Sequence, residues 1–239
     1  MYQIFLISEC ILCKAGRNCG YKMNDRYQTV YSGGTGEITE KKSRFIANVF
    51  PAASEEEALS HLEQIRKQYW DARHNCWAYV IGTKQVTARC SDDGEPSQTA
   101  GKPILDVIMG KELHDVLIVV TRYFGGTLLG TGGLVRAYSK AAQEGLAHSK
   151  IITRIFGAKL VIHTDYTGLG KIQYILGQRG IKTLDVAYED AVTITVLTAA
   201  EEMQSLKAEI TEGTNGQALL EEGDNCWFAE VDGRMEILE

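Results

Sequence analysis

The sequence predicts an α+β protein of two domains, and three observations lead to that prediction. Segments with strand periodicity alternate with segments of helical periodicity along the 239 residues. The last third has the order β-α-β-β-α-β, which is the ferredoxin-like arrangement. The charge balance changes at the same place, because residues 24–152 hold 15 Lys or Arg and 15 Asp or Glu, whereas residues 153–239 hold 7 and 15. We therefore place a domain boundary within residues 151–156.

In the first domain, residues 23–152, strands and helices alternate irregularly. Two short strands flank a turn at Gly33 and Gly34, and a capping box from Ser54 to Glu57 begins the first helix. Thr131 is placed to cap the helix that follows the glycine-rich segment. The predicted strands are residues 28–31, 37–39, 43–50, 75–81, 85–90 and 115–121, and the predicted later helices are residues 97–109 and 134–147.

In the second domain, residues 153–239, the pattern is more regular. Gly180 gives a normal C-terminal stop to the first of its helices. The predicted strands are residues 158–164, 181–188, 191–197 and 217–222, the last continued by residues 227–231, and the predicted helices are residues 168–178 and 200–212. The net charge of this domain is −8, so most of its surface would repel phosphate groups.

The overall composition, with 44% hydrophobic and 23% charged residues, is that of an ordinary globular chain. No apolar run reaches the about 20 residues needed to cross a bilayer, and the N-terminus lacks the features of a secretory signal. Collagen-like, coiled-coil, disordered and membrane-spanning classes are excluded. We expect a cytoplasmic protein with no membrane or DNA partner.

Residues 1–22 differ from the rest in both pattern and polarity. They contain Cys10, Cys13 and Cys19, but a structural zinc site needs four ligands and no second cysteine pair follows. We therefore predict no metal and no cofactor. Met23 opens a plausible natural start, so residues 1–22 are expected to be a mis-assigned or poorly ordered extension.

A glycine-rich segment joins a buried strand to a helix and is the most unusual part of the sequence. Such a loop lets the backbone approach another molecule closely, and free N–H groups at a helix start attract anions. Its spacing matches neither nucleotide-binding fingerprint, so a tight structural turn is the alternative. Arg122 and Arg136 flank it as phosphate partners. The segment contributes Tyr123 and the glycines Gly125, Gly126, Gly130, Gly132 and Gly133.

Two polar segments are further candidates. Asp92, Asp93 and Glu95 lie within four residues, so they could bind a hard cation or a partner's basic side chain, or they could form a solvated turn. Arg73 and His74 precede a strand. His74 could act as a general base with Cys76 or Ser91 as nucleophile, or it could be a hydrogen-bonded structural residue.

Four segments together resemble the IMPACT/YigZ family. They read ARHNCWAY at residues 72–79, SDDGEPSQTAGKPI at 91–104, VTRYFGG at 120–126 and LGTGGLVRAY at 129–138. The resemblance covers about residues 24–150, and the remaining chain resembles the small ferredoxin-like domain of bacterial members. One position departs from the pattern, because family members commonly have a lysine where this chain has Leu128. Anion binding by the loop should therefore be weaker here.

The resemblance implies a fold and a field of activity. The first domain should be similar to the two-layer α/β fold of ribosomal small-subunit protein five and of domain IV of elongation factor G, and the second to domain V of that factor. Eukaryotic members regulate translation by binding the activator of a stress kinase. This chain has no segment resembling their N-terminal RWD domain, so that pathway is not carried over whole.

We predict a non-enzymatic, translation-associated regulatory or binding module whose partner is the ribosome, RNA or a translation-related protein. An alternative is a hydrolase or peptidase that uses His74 and a metal held by Asp92, Asp93 and Glu95. A third hypothesis is that the acidic second domain binds a basic partner surface. The predicted binding surface comprises Arg73, His74, Asp92, Asp93, Glu95, Arg122, Tyr123, Gly125, Gly126, Gly130, Gly132, Gly133 and Arg136.

Overall fold

The computed structural model describes residues 3–5 and 25–238. The chain forms two compact units that divide between Ile152 and Thr153. Both units mix helices with a sheet, which confirms the predicted α+β class. The prediction about residues 1–22 lies outside the described residues, apart from Gln3–Phe5, which form an edge strand. No helix in the described ranges is both long and apolar enough to pass through a bilayer.

The first unit contains eight strands and three helices among the described residues. The strands are β1 (Gln3–Phe5), β2 (Arg26–Ser32), β3 (Thr35–Glu40), β4 (Ser43–Pro51), β5 (His74–Ile81), β6 (Thr87–Ser91), β7 (Leu113–His114) and β8 (Val116–Tyr123). The helices are α1 (Glu55–Gln68), α2 (Gly101–Gly110) and α3 (Thr131–Ala147).

Six of these strands form one sheet in the order β1-β6-β5-β8-β4-β3, with antiparallel pairing throughout. The helices α2 and α3 cover one face and α1 covers the other. Alternate residues of the central strands therefore enter different cores. On β8, Ile118 and Val120 face α2 and α3, whereas Leu117 and Val119 face α1. Because both faces are buried, β5 and β8 have nearly continuous apolar sequences.

The helix starts show two different solutions to the unpaired N–H groups of a first turn. Ser54 caps α1 by accepting a hydrogen bond from the Glu57 N–H at 3.1 Å, as predicted. The prediction that Thr131 caps α3 is wrong. The cap position belongs to Gly130, at a φ of 73°, and no side chain accepts a hydrogen bond from the first turn. Residue 131 is already helical, so the helix begins three residues earlier than its apolar periodicity indicates.

The two strands predicted around Gly33 and Gly34 are present as β2 and β3, but they do not pair with each other. In the described part of the chain, β2 pairs in parallel with β7, while β3 pairs with β4. The glycines are needed for close packing. A Cβ on Gly33 would lie 1.9 Å from the Val49 carbonyl oxygen, and one on Gly34 would lie 2.2 Å from the His148 carbonyl oxygen. The turn therefore leads β2 away from β3 and packs closely against the backbone at Val49 and His148.

The second unit has the predicted succession β-α-β-β-α-β followed by one further strand. Its elements are β9 (Lys150–Thr164), α4 (Tyr166–Gln178), β10 (Thr183–Tyr188), β11 (Val192–Ala199), α5 (Ala200–Gly213), β12 (Leu219–Val231) and β13 (Arg234–Leu238). The sheet order is β10-β11-β9-β12-β13. Each of its four pairings is antiparallel. The strand β13 was not predicted. It pairs through a tight turn at Asp232 and Gly233, both at positive φ.

Candidate functional site

The Asp92 side chain supplies the acceptor at the start of α2, where the cap position itself belongs to Ala100. One carboxylate oxygen accepts hydrogen bonds from the N–H groups of Ala100 at 2.9 Å and Gly101 at 2.8 Å. The other oxygen accepts from the Gln98 N–H at 2.8 Å. A carboxylate at this position satisfies free N–H groups and interacts favourably with the helix dipole. Asp92 therefore holds its own loop against the helix, and both of its oxygens are occupied.

The next carboxylate, Asp93, ties the same loop to β5. It accepts a hydrogen bond from the Asn75 N–H at 2.7 Å and pairs with the Arg66 guanidinium at 3.3 Å. The His74 ring contacts the Asp93 carbonyl oxygen through Nδ1 at 2.9 Å. Since a carbonyl oxygen only accepts, this contact requires a proton on Nδ1, and Nε2 is the ring nitrogen left to contact another group. His74 is therefore oriented by the loop that carries Asp92, Asp93 and Glu95, which we call the acidic loop.

Glu95 forms a buried ion pair with Arg122. The distance between the Arg122 Nη1 and the Glu95 Oε1 is 2.5 Å, and the two side chains are 8% and 4% exposed. The same carboxylate oxygen accepts from the Tyr138 hydroxyl at 2.8 Å. The Arg122 guanidinium lies 5.5 Å from the ring centroid of Phe45 and 5.6 Å from that of Phe124. The sequence expectation that Arg122 contacts phosphate needs correction, because this charge is compensated and enclosed within the fold.

The Cys76 thiol lies in the same buried network. It is fully buried and donates to the Asp92 carbonyl oxygen at 3.0 Å, with the Tyr138 hydroxyl at 3.4 Å. Burial raises the pKa of Cys76 well above its usual value, and burial also raises the pKa of Tyr138. A thiol with a raised pKa is a poor nucleophile. The candidate pair of His74 and Cys76 therefore lacks an activated partner.

The glycine-rich loop runs between the end of β8 and the start of α3. Gly125 packs so closely on the turn before β4 that a Cβ would lie 2.0 Å from the Lys42 carbonyl carbon and oxygen. Its N–H donates to the Ser43 hydroxyl at 3.2 Å. Gly126 has a φ of 84° and Gly130 a φ of 73°, and both have open space around them. The loop is thus fixed at Gly125, exposed from Gly126 to Leu128, and fixed again by the buried side chain of Leu129.

A shallow groove of about 220 Å³ opens beside the start of α3, and we call it the basic groove. Its charged lining residues are Glu40, Lys41, Arg136 and Lys140, and its other lining residues are Ile38, Leu129, Gly133 and Ala137. The first turn of α3 at Thr131 and Gly132 is exposed and has no side-chain cap. Three cations against one carboxylate, together with a helix start, give the groove a positive potential.

Sequence reasoning missed two lysines of the basic groove, Lys41 and Lys140. Lys41 and the next residue, Lys42, form the turn between β3 and β4, with φ values of 45° and 67°. Both central residues of this two-residue turn have positive φ, which non-glycine residues rarely adopt. Lys140 lies one helical turn after Arg136, so the i, i+4 spacing in α3 was the available signal. Lys41 lies far from Arg136 in the sequence, and no sequence pattern links the two residues.

The remaining predicted residues lie at the same end of the sheet. The Tyr123 hydroxyl donates to the Asp71 carboxylate at 2.7 Å. Arg73 is exposed, as is Leu128 at 81%. His74 and Arg122 are directly opposite each other in the pairing of β5 and β8. The structure therefore brings the acidic loop, His74 and Arg122 together in one network, while Arg136 and Gly133 lie in the basic groove.

The acidic cluster does not form a cation site by geometry. Among residues 25–238 no group of three or more His, Cys, Asp or Glu side chains is arranged to hold a metal ion. The carboxylates of Asp92 and Asp93 instead accept N–H donors, which occupy the positions that a hard cation would take.

Comparisons with known proteins place these features in a family. The model described as "Impact N-terminal domain" matches residues 41–146, and "Domain of unknown function (DUF1949)" matches residues 162–217. IMPACT family member YvyE of Bacillus subtilis is 41% identical over 213 residues, covering 89% of this chain and 98% of that protein. IMPACT family member YigZ of Escherichia coli is 35% identical over 182 residues, covering 75% and 89%. A solved hypothetical protein is 32% identical with a TM-score of 0.52, covering 83% of this chain and 98% of that one.

Proposed function

The chain belongs to the IMPACT family, and from that premise we propose that it is a non-enzymatic, translation-associated binding module that contacts RNA of the ribosome through its first unit. The link to translation comes from the family resemblance of the four motif segments. The choice of RNA comes from the geometry of the basic groove. The acidic loop supports this surface from inside and does not itself bind the partner.

The observation that carries the proposal is the group of cations at the basic groove. Lys41, Arg136 and Lys140 are exposed, and within residues 25–238 none of them has an ion-pair partner. Glu40 is the one acidic residue lining the groove. An unpaired cluster of long cationic side chains beside a helix start suits the phosphate groups of a nucleic acid backbone.

The placement on the first unit follows from charge. Residues 153–239 carry 15 Asp or Glu against 7 Lys or Arg, and this excess repels a polyanion. Residues 24–152 are balanced overall, so a local cluster can dominate the field around it. The exposed Leu128, where the family commonly has lysine, removes one cation from the loop. Lys41 and Lys140 line the basic groove together with Leu129, the residue that follows Leu128.

The hydrolase alternative draws less support from the same residues. His74 is bound through Nδ1 to a carbonyl, the Cys76 pKa is raised by burial, and Glu95 is paired with Arg122. Although Nε2 of His74 stays available, the carboxylates of Asp92, Asp93 and Glu95 that would have to hold the metal are used in holding the acidic loop to the fold. The geometry fits a supporting scaffold better than a catalytic centre.

Co-sedimentation of the full chain with purified ribosomes over a range of salt concentrations tests the proposal. Wild-type protein should pellet with ribosomes at low salt and dissociate steeply as salt rises. The double variant R136Q/K140Q should bind more weakly, and its slope of log affinity against log salt should fall by about 1.4 to 1.8, as expected for two lost phosphate contacts.

A matched control removes the same charge elsewhere on the unit. Lys84 and Lys111 are exposed and lie outside the basic groove. The variant K84Q/K111Q should bind like wild type if the contact is local. Equal weakening of both double variants would mean non-specific attraction, and absence of wild-type binding at low salt would reject the proposed function.

A further inference from the structure

Trp70 is the most exposed of the large apolar side chains in the described residues. It follows the end of α1 and is 82% exposed, although a tryptophan is normally well buried. Its backbone is held firmly. The Ala72 N–H donates to the Tyr69 carbonyl oxygen at 3.0 Å, and the neighbouring Asp71 accepts from the Tyr123 hydroxyl at 2.7 Å. The indole ring is thus presented to water from a fixed turn.

Phe124 is a second exposed ring, and Tyr123 links it to the first. Phe124 is 53% exposed, with the Arg122 guanidinium 5.6 Å from its ring centroid. Arg122 is itself held by Glu95, so the ring rests on a fixed support. Because Tyr123 precedes Phe124 and is bonded to the turn that carries Trp70, both rings lie at one end of the sheet.

Cations accompany the two rings. Arg73 is exposed and lies three residues after Trp70. Gly125, next to Phe124, packs directly on the backbone of Lys42, whose side chain is also exposed. Exposed aromatic rings interleaved with cations are the arrangement by which proteins bind unpaired nucleic acid, because bases stack on the rings while the cations follow the backbone.

Resting on the proposed function, we infer that the RNA bound by this surface is single-stranded, with bases stacked on Trp70 and Phe124 and phosphates at the basic groove. Duplex RNA offers no unstacked base to either ring, because its bases are already stacked and its grooves expose only their edges. The aromatic pair would then distinguish an unpaired segment from a helix, and the cations alone would not.

Fluorescence anisotropy of the full chain with a mixed-sequence RNA of about 12 nucleotides tests this inference, since single-strand sites span about 4–16 nucleotides. The same RNA in duplex form is the comparison. Wild type should bind the single strand at least about tenfold more tightly than the duplex. Trp70→Ala and Phe124→Ala should each weaken single-strand binding about tenfold, and Trp70→Ala should leave the salt slope unchanged.

Two controls separate stacking from loss of structure. Trp70→Phe keeps an aromatic ring and should bind within about twofold of wild type. Tyr174→Ala removes a ring that is 68% exposed in the other unit and should have no effect. Trp77 is 2% exposed and Trp227 is half-buried in the other unit, so quenching of accessible tryptophan emission on RNA addition should be smaller in Trp70→Phe than in wild type.

Failure of the inference differs from failure of the proposed function. A protein that pellets with ribosomes but binds duplex as well as single strand, or that tolerates Trp70→Ala without loss of affinity, overturns the stacking inference alone. If Phe124→Ala unfolds in urea earlier than wild type, the Trp70 variants decide, because Trp70 is mostly in water. A wild-type protein that binds neither ribosomes nor RNA rejects both proposals.

Discussion

Glu95 and Arg122 form a 2.5 Å ion pair between side chains that are almost completely buried. Glu95 belongs to the acidic loop and Arg122 to the central strand β8, so the pair fastens the loop across the end of the sheet. The Tyr138 hydroxyl adds a bond from α3 to the same carboxylate oxygen. Loop, sheet and helix therefore meet at one buried carboxylate, beside the ring of Phe124 that the RNA is proposed to contact.

Removing one partner of this pair should destabilise the protein strongly. Glu95→Gln leaves the Arg122 charge buried without compensation, which costs about 3–5 kcal/mol. Urea unfolding of the full chain at neutral pH, followed by the emission of a protein in which Trp70 and Trp227 are replaced by Phe so that Trp77 alone reports, measures the loss. The double variant E95Q/R122M should lose less than the two single variants together, because it leaves no buried charge.

The control for this prediction is the exposed pair of Lys102 and Asp106, one turn apart on α2. Its side chains are largely in water, so Asp106→Asn should cost less than about 0.5 kcal/mol. If Glu95→Gln proves as mild as Asp106→Asn, the buried pair does not fasten the loop.

Asp92→Ala should destabilise the first unit by about 2 kcal/mol, because two N–H groups at the start of α2 and the Gln98 N–H of the preceding loop lose their acceptor. Ser54→Ala, which removes the simple cap of α1, should cost about 1 kcal/mol and serves as the matched comparison. A loss no greater than that of Ser54→Ala would show that other acceptors or water replace the carboxylate. Urea midpoints at constant m-value give both numbers.

Divalent cations should not change the stability of the protein. The carboxylate oxygens of Asp92 and Asp93 already accept N–H groups, so a hard cation would have to break those bonds to bind. The Tm with millimolar Mg²⁺ or Ca²⁺ should therefore match the Tm with EDTA, at equal ionic strength. A cation-dependent rise that disappears in Asp93→Asn would revive the metal-dependent hydrolase hypothesis.

The sequence predicts what is local and apolar in this fold. Strands β5 and β8 are visible as apolar runs because both of their faces are buried, and the box from Ser54 to Glu57 is a short-range signal. In contrast, β2 pairs with β7, more than 80 residues along the chain, and the glycines that follow β2 pack against Val49 and His148. No pattern within residues 28–39 contains that information.

The sequence predicted which residues form the candidate site better than it predicted their chemistry. His74, Asp93, Glu95 and Arg122 do meet, yet they form hydrogen bonds and an ion pair within the fold. Motif reading cannot distinguish a carboxylate that binds a ligand from one that caps a helix, because both need the same residue type. The basic groove was not predicted, because Lys41 comes beside α3 only when β3 and β4 pair and pack in the folded protein.

Substitutions of two adjacent glycines should have different effects. Gly125→Ala puts a methyl group 2.0 Å from the backbone of Lys42, so the loop or the turn must move, at a cost of about 2 kcal/mol or more. Gly126→Ala meets open space and suffers only the strain of a positive φ, about 1–2 kcal/mol. The decisive measurement is ribosome affinity, which Gly125→Ala should lower and Gly126→Ala should preserve.

Alkaline pH should destabilise the protein through Tyr79. This side chain is 2% exposed, and burial raises the pKa of its hydroxyl to about 12. In the unfolded chain a tyrosine ionises near pH 10. Because the folded pKa is raised, the stabilisation is complete below about pH 10 and is lost as the pH rises towards 12. The Tyr79→Phe variant should lose less stability over that range, by up to about 1.4 kcal/mol per pH unit.

The exposed ring of Tyr174 provides the control, since Tyr174→Phe should follow wild type. Urea unfolding between pH 9 and 12, at constant salt concentration and temperature, compares the three proteins. Parallel curves of unfolding free energy against pH for Tyr79→Phe and wild type would contradict the burial of this hydroxyl.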